Sequence, residues 1–199
     1  AVRKRLIRKA VWKAAGACKD ITAAHLQAVA DLLEKQTGRY VKLPYGLTAT
    51  RVYNVIEIMG KRKETEKICL PIDTDRLPEN LLAGEWKFSF KKFLYDGNTD
   101  KIPRKMYTKW FDYDKIKDSL AIRNRRKGDY FVLDAAGHHK KLEDYFVNEK
   151  IPASHRDEQL LLAGEDEIFW IVGGRMAYGT GISDATRWVL EITASNSSH

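Results

Sequence analysis

The chain has 199 residues, 44% of them hydrophobic and 11% aromatic, and a formal net charge of +8. That composition excludes wholesale disorder, and the length holds one large domain or two small ones with a workable core. The positive excess favours a polyanionic partner.

Residues 2–15 repeat Val2, Leu6, Ala10 and Ala14, with Ile7 and Val11 beside them, at helical spacing. The opposite face carries Arg3, Lys4, Arg5, Arg8, Lys9 and Lys13 with no acid among them, a pattern that suits solvent and phosphates equally. Gly16 ends this helix, and Asp20 and Thr22 are cap candidates for a second one with Leu26, Val29, Ala30 and Leu33 on its apolar stripe. From Gly38 the period changes to two. Arg39–Leu43, the turn Pro44-Tyr-Gly46 and the run Ala49–Ile58 predict a β-hairpin. The charged run Lys61–Lys67 reads as a linker.

The remainder is mostly strand-like. Lys67–Leu70 and Glu85–Phe90 alternate as half-buried strands do, and Lys109–Asp112, Leu120–Ile122, Tyr130–Leu133 and Glu167–Val172 are further strand material. Trp188–Ile192 is the expected last strand, and Trp86, Trp110, Trp170 and Trp188 read as core. Lys141–Glu149 predicts one short helix with Leu142, Tyr145 and Phe146 inward. The expected architecture is α+β. A helical hairpin with a β-hairpin spans residues 1–62, a strand-rich mixed module spans 63–193, and residues 194–199 form a mobile tail.

The densest cationic stretch is Ile122-Arg-Asn-Arg-Arg-Lys-Gly-Asp129. Arg123 and Arg125 share strand parity and so project from one face, with Arg126 and Lys127 at the turn. Guanidinium forks suit phosphate oxygens and the 2′-hydroxyl edge of RNA, whereas the competing role is to brace the fold against Asp129, Asp144 or Asp157. Lys140 and Lys141 fall in the first turn of the expected helix, where cations oppose the helix dipole and its N-terminus suits a phosphate. Lys150 and Arg156 flank Ile151-Pro152, and Arg175 follows Gly173-Gly174. These residues, with Arg3, Lys4, Arg8 and Lys9 of the first helix, make up the candidate contact set.

Catalytic and metal signals are weak by comparison. His138, His139 and His155 read as solvated, and no metal site is expected. Gly179-Thr-Gly181 is an incomplete dinucleotide fingerprint, with Asp184 where a third glycine belongs. No Ser/His/Asp or Cys/His set stands out, and Asp112 with Asp114 reads as structural. Cys18 and Cys69 lie far apart without a C-x-x-C pair, which argues against a disulfide framework or zinc knuckle and points to reduced thiols in the cytoplasm. No apolar run reaches bilayer-spanning length and no signal-peptide core opens the chain, so no membrane partner is expected.

Ordered landmarks resemble the C-terminal half of the tRNA(Ile)-lysidine synthetases. They are Phe111-Asp-Tyr-Asp-Lys-Ile116, Ile122–Asp129, Lys140-Lys-Leu-Glu-Asp-Tyr-Phe146, Lys150-Ile-Pro152 with Arg156-Asp157, and Trp170-Ile-Val-Gly-Gly-Arg175 with Thr186. Ile21-Thr22 and Val41-Lys-Leu-Pro-Tyr-Gly46 are similar to the region just before, so the resemblance covers nearly the whole chain. It implies an enzyme that uses ATP, with Mg, to activate the wobble cytidine of an isoleucine tRNA with a CAU anticodon and then attaches lysine. In the family that chemistry belongs to an N-terminal PP-loop domain marked S-G-G-x-D-S. The motif is not in this sequence; Val172-Gly-Gly-Arg-Met176 lacks the serine and the Asp-Ser pair. The start at Ala1, already inside a helical pattern, looks like an excised fragment. The resemblance therefore implies a tRNA-gripping portion that is inactive alone, needs no cofactor of its own and works beside its PP-loop domain. A rival reading is a non-catalytic protein-interaction or oligomerisation module, such as a homodimer, whose basic face only keeps it soluble.

Overall fold

The structure is a computed structural model that describes residues 2–16, 19–60, 67–116 and 118–196. Cys18, the expected linker apart from Lys67, and residues 197–199 lie outside the described residues. The chain divides into two compact units, Ala1–Thr65 and Glu66–His199, and mixes a few helices with antiparallel sheets in an α+β arrangement. No helix among the described residues is long and apolar enough to cross a membrane.

In the first unit α1 (Val2–Ala15) and α2 (Ala23–Asp31) pack on a three-stranded antiparallel sheet of β1 (Tyr40–Lys42), β2 (Thr48–Val52) and β3 (Val55–Met59). Thr22 caps α2. Its hydroxyl accepts from the His25 N–H at 3.4 Å, and His25 Nδ1 accepts from the Thr22 N–H at 3.2 Å, so histidine plays the part usually given to Glu or Gln. The helix tightens at its end into a 3₁₀ turn, Leu32–Glu34, which carries Leu32 into the core with Val11, Val29, Leu43, Leu47 and Ala49.

Two expectations are corrected here. The buried strip of α1 is Ile7–Val11–Ala15, whereas Val2 is 73% and Leu6 62% exposed. α1 carries two adjacent apolar strips and can bury only one; Ile7 and Val11 offer more apolar area than the alanines at 10 and 14. The run Ala49–Ile58 is not one strand. It folds back at Tyr53-Asn54, with Val52 opposite Val55, and the hairpin becomes a three-stranded meander. Tyr53 takes the left-handed φ of 48° there, so no glycine marks the turn.

The second unit holds two four-stranded antiparallel sheets and a two-stranded ribbon. Its elements in chain order are β4 (Cys69–Pro71), β5 (Asn80–Ala83), β6 (Trp86–Leu94), β7 (Thr108–Asp112), α3 (Tyr113–Ile116), β8 (Ala121–Arg123), β9 (Tyr130–Val132) and β10 (His139–Lys141). They continue with α4 (Leu142–Asn148), α5 (Ala153–Arg156), β11 (Leu161–Ala163), β12 (Ile168–Ile171) and β13 (Trp188–Asn196). One sheet has the order β12-β11-β8-β4, the other β5-β6-β13-β7, and β9 pairs with β10. Phe88, Phe111, Ile122, Leu162, Trp170 and Leu190, drawn from both sheets, share one core. Leu161, Ala163, Ile168 and Ile171 turn to a second core with Phe131, Leu142 and Phe146. β11 is thus buried on both faces.

The mobile tail expected from Ala194 is corrected for residues 194–196. β13 runs on to Asn196 opposite Trp86, and Ala194 is 3% exposed, with its N–H donated to the Tyr107 carbonyl at 2.8 Å. Small residues with little strand signal of their own are held there by the ladder to β6 and by that bond to Tyr107.

The glycine-rich segment 173–181 has a structural job. It leaves β12 through a bridge between Trp170 and Met176 and reaches β7 through a bridge between Phe111 and Gly181. Gly173 sits at φ +76°, and a Cβ there would lie 2.6 Å from Tyr107 Cε1. Gly173→Ala should destabilise the chain by about 1–3 kcal/mol in chemical denaturation. Tyr107→Ala in the same background should recover the steric part of that loss but not the conformational part.

Candidate nucleic-acid interface

The four cations of the 122–129 stretch have four different fates. Arg123 ends β8, and its side chain is 1% exposed. Its guanidinium donates from Nη1 to Asp129 Oδ2 at 2.9 Å and from Nη2 to Asp129 Oδ1 at 2.8 Å, and further to the carbonyls of Asn124 and Glu165. Asp129 Oδ2 also accepts the Arg126 N–H at 2.7 Å, and the Asp129 carbonyl accepts the Leu142 N–H at 2.9 Å. Arg123 therefore cannot meet a phosphate, and its place in the contact set is corrected. The Gly128-Asp129 turn returns a carboxylate against the end of β8, and a carboxylate buried there demands a cation.

The shared face expected for Arg123 and Arg125 also fails, because β8 stops at Arg123 and strand parity stops with it. Arg125, 30% exposed, directs Nε and Nη2 at Asp157 Oδ1, each at 2.7 Å, and brings Nη1 to 3.5 Å from Glu143 Oε1. It ties the turn to α4 and to the end of α5. Arg126 and Lys127 are exposed at the tip. Arg126 Nη2 lies 3.0 Å from the exposed Cys69 Sγ, and Lys127 has no side-chain partner among the described residues.

Lys140 and Lys141 do not sit in a helical first turn. They belong to β10, where Lys140 lies opposite Phe131 and Lys141 opposite Tyr130, so they point to opposite faces of the ribbon. α4 begins after them, with Glu143 and Asp144 in its first turn answering the dipole. The paired-lysine phosphate site at a helix start is corrected accordingly.

Lys150 is exposed and left-handed at φ 56°. Its N–H donates to the Val147 carbonyl at 3.1 Å and that of Ile151 to Phe146 at 2.8 Å, the double closure of a helix end where glycine is usual. Arg156, half-buried, donates from Nε to the Ile151 carbonyl at 2.9 Å and stiffens this connection. Arg125 grips Glu143 in the first turn of α4 and Asp157 at the end of α5, so both are held to the turn carrying Arg126 and Lys127. Arg175 is exposed, with its guanidinium carbon 5.4 Å from the centre of the Phe131 ring.

The histidines do other work. His138 Nδ1 bonds Asp134 Oδ2 at 2.9 Å, and this hydrogen bond holds the Asp134 carboxyl below its ordinary range. His139 meets the Tyr130 ring edge-on at 4.7 Å. Among the described residues no group of three His, Cys, Asp or Glu is placed to hold a metal ion. A recess of about 560 Å³, lined by Asp118, Glu165, Asp166 and Glu167 with Lys115, carries negative charge and repels phosphate from that side.

The cations of α1 differ from all of these. Arg3, Lys4, Arg8 and Lys9 are exposed, and none has an ion-pair partner among the described residues; Arg8 stacks 4.0 Å over the Trp12 ring. Residues 1–60 hold 11 Lys and Arg against 4 Asp and Glu, whereas residues 61–199 hold 24 against 23. The positive excess thus belongs almost entirely to the first unit's stretch of chain. A count by segment would have found this, whereas density within a short window led to Arg123.

Residues 120–192 match the family model described as TilS substrate C-terminal domain. The chain is 32% identical to a tRNA(Ile)-lysidine synthase of Caldanaerobacter subterraneus subsp. tengcongensis, over 96% of this chain and 41% of that protein. It is 29% identical to a tRNA(Ile)-lysidine synthase of Clostridium perfringens, over 97% of this chain and 43% of that one. The chain spans about two-fifths of the length of these curated relatives. A crystal structure of a TILS C-terminal domain superposes with a TM-score of 0.49 at 19% identity, covering 66% of this chain and 98% of that one.

Arg123→Met should lower stability by about 3–5 kcal/mol in chemical denaturation, since it strands a buried carboxylate. Replacing Asp129 by leucine in the same chain should recover much of that loss. Lys150→Gly should raise the denaturation midpoint, corresponding to about 0.5–1 kcal/mol, by relieving the left-handed backbone.

Proposed function

Because the chain belongs to the tRNA(Ile)-lysidine synthase family, we propose that it grips the tRNA substrate of such an enzyme and leaves bond formation to another part of the protein. In that reading ATP with Mg and lysine are handled by a PP-loop domain bearing S-G-G-x-D-S, in the cytoplasm, and the tRNA is the isoleucine species with a CAU anticodon. No such motif occurs in these 199 residues. The nearest glycine pair, Gly173-Gly174, is accounted for by a tight turn packed on Tyr107 rather than by phosphate binding.

The observation that carries the proposal is the segregation of charge. An α1 surface of unpaired cations supplies a sequence-independent attraction to a polyanion. In the second unit Arg126, Lys127 and Lys150 are exposed on backbone that Arg123, Arg125 and Arg156 fix from behind, and Arg175 is exposed beside the Phe131 ring. Lys141 stands apart on the outer face of the β9–β10 ribbon. Cations on ordered turns suit stem backbone and 2′-hydroxyls more than base edges.

Binding of tRNA to the chain, titrated with salt, tests the proposal. The log–log slope should shrink by about one for each phosphate contact removed. Arg3, Lys4, Arg8 and Lys9 replaced together by alanine should flatten it most, and Arg126→Ala with Lys127→Ala should flatten it less. Bound tRNA should also slow alkylation of Cys69, which lies 3.0 Å from Arg126. Slopes unchanged in both variants, or a stable dimer indifferent to RNA, would overturn the reading. Lysidine formed from ATP, lysine and tRNA by this chain alone would overturn the division of labour.

A further inference from the structure

We propose that a groove in the first unit, between the end of α2 and β1, holds one unstacked nucleotide of the bound RNA. The groove measures about 460 Å³, within the range of small-ligand pockets. The inference rests on the tRNA-binding reading only in taking RNA as the partner.

Its floor is apolar, made by Ala28, Leu32 and Val41. Its wall is Tyr40, 60% exposed, with no hydrogen-bond partner for its hydroxyl among the described residues. Lys35 and Arg39 stand at the rim, both exposed and neither paired with a carboxylate among the described residues. This contrasts with Arg123 and Arg125 of the second unit, which are spent on Asp129 and Asp157. Asp31, the one acid in the lining, already accepts Gln27 Nε2 at 2.7 Å on Oδ1.

Strand register adds donors and acceptors. The Arg39 carbonyl and the Leu43 N–H bond to the Arg51 N–H and the Leu47 carbonyl beyond the ends of β1. Antiparallel pairing alternates, so the N–H and C=O of Tyr40 point outward along the free edge of β1. The groove therefore combines an aromatic face for stacking, two free cations for the flanking phosphates, and backbone polar groups for a base edge or a 2′-hydroxyl. A duplex keeps its bases stacked inside, so only a splayed base can enter. Charge complementarity selects the occupant: an apolar recess rimmed by unpaired cations favours an anionic planar ligand over an uncharged one.

The test is anisotropy with the whole 199-residue chain and two labelled probes, a short single-stranded oligoribonucleotide and a blunt RNA duplex. Tyr40→Ala should weaken binding of the single strand by about tenfold or more and leave the duplex within about twofold, given the usual worth of a base–aromatic stack. Tyr40→Phe should behave as wild type, which also controls for folding. Equal loss on both probes, no loss on the single strand, or a Tyr40→Phe defect as large as that of Tyr40→Ala would overturn the proposal. If tRNA shifts normally while Tyr40→Ala is silent, the tRNA-gripping reading stands and the groove falls. If the single strand discriminates at Tyr40 while tRNA does not bind, the groove stands and that reading falls.

Discussion

The buried pair between Arg123 and Asp129 is the interaction around which the second unit is assembled. Both side chains are taken out of water, at a desolvation cost that only a nearly complete set of partners offsets. Both Asp129 oxygens accept from the guanidinium, and one accepts a backbone N–H as well. The two η nitrogens of Arg123 also satisfy carbonyls on either side, at Asn124 and Glu165. Through these bonds the end of β8, the following turn, the start of α4 and the loop before β12 become one body. Removing a single member would leave a charge without its counterpart in low dielectric.

A surface role for this stretch depends on that internal one. Arg126 and Lys127 present cations from a turn whose backbone is held from beneath, so little entropy is lost when a partner orders them. Arg125 occupies the middle ground, partly exposed yet bound to Asp157, and it ties the turn to the start of α4 and the end of α5. The first unit works on a different principle. On α1, Arg3, Lys4, Arg8 and Lys9 are exposed without an ion-pair partner among the described residues, and in the proposed function they act through their summed field rather than through fixed geometry. In the proposed function one stretch of chain attracts and the other shapes.

Much of this was legible in the residues, and the rest was hidden for physical reasons. β6, β7, β12 and β13 announce themselves by alternation or by aromatic and branched runs, and Thr22 announces the start of α2. β11 does not. Leu160-Leu-Leu-Ala163 faces a core on each side, so it has no polar register from which a strand could be recognised. The turn at Tyr53-Asn54 lacks a glycine, and nothing local divides the apolar alternation into two arms. The choice among Asp129, Asp144 and Asp157 as partners of Arg123 and Arg125 is tertiary; helix and strand periods carry no information about it. The landmarks of the family were readable in order, yet order alone cannot say which cation of a motif faces inward.

Lys150 shows how local energy and surface chemistry are weighed against each other. The end of α4 calls for a residue that tolerates the left-handed region, and glycine meets that need without strain. A lysine at that position keeps the backbone closure and adds an exposed cation, at a cost of about 1 kcal/mol in conformation. Its neighbour Ile151 joins the second core, so the connection cannot drift to relieve the strain. The backbone that carries the lysine is thereby fixed on the surface, which matters to the proposed polyanion contact and not to solubility. Strain kept at an exposed cation, on a helix end closed by its own hydrogen bonds, suits the proposed role of positioning a polyanion's backbone.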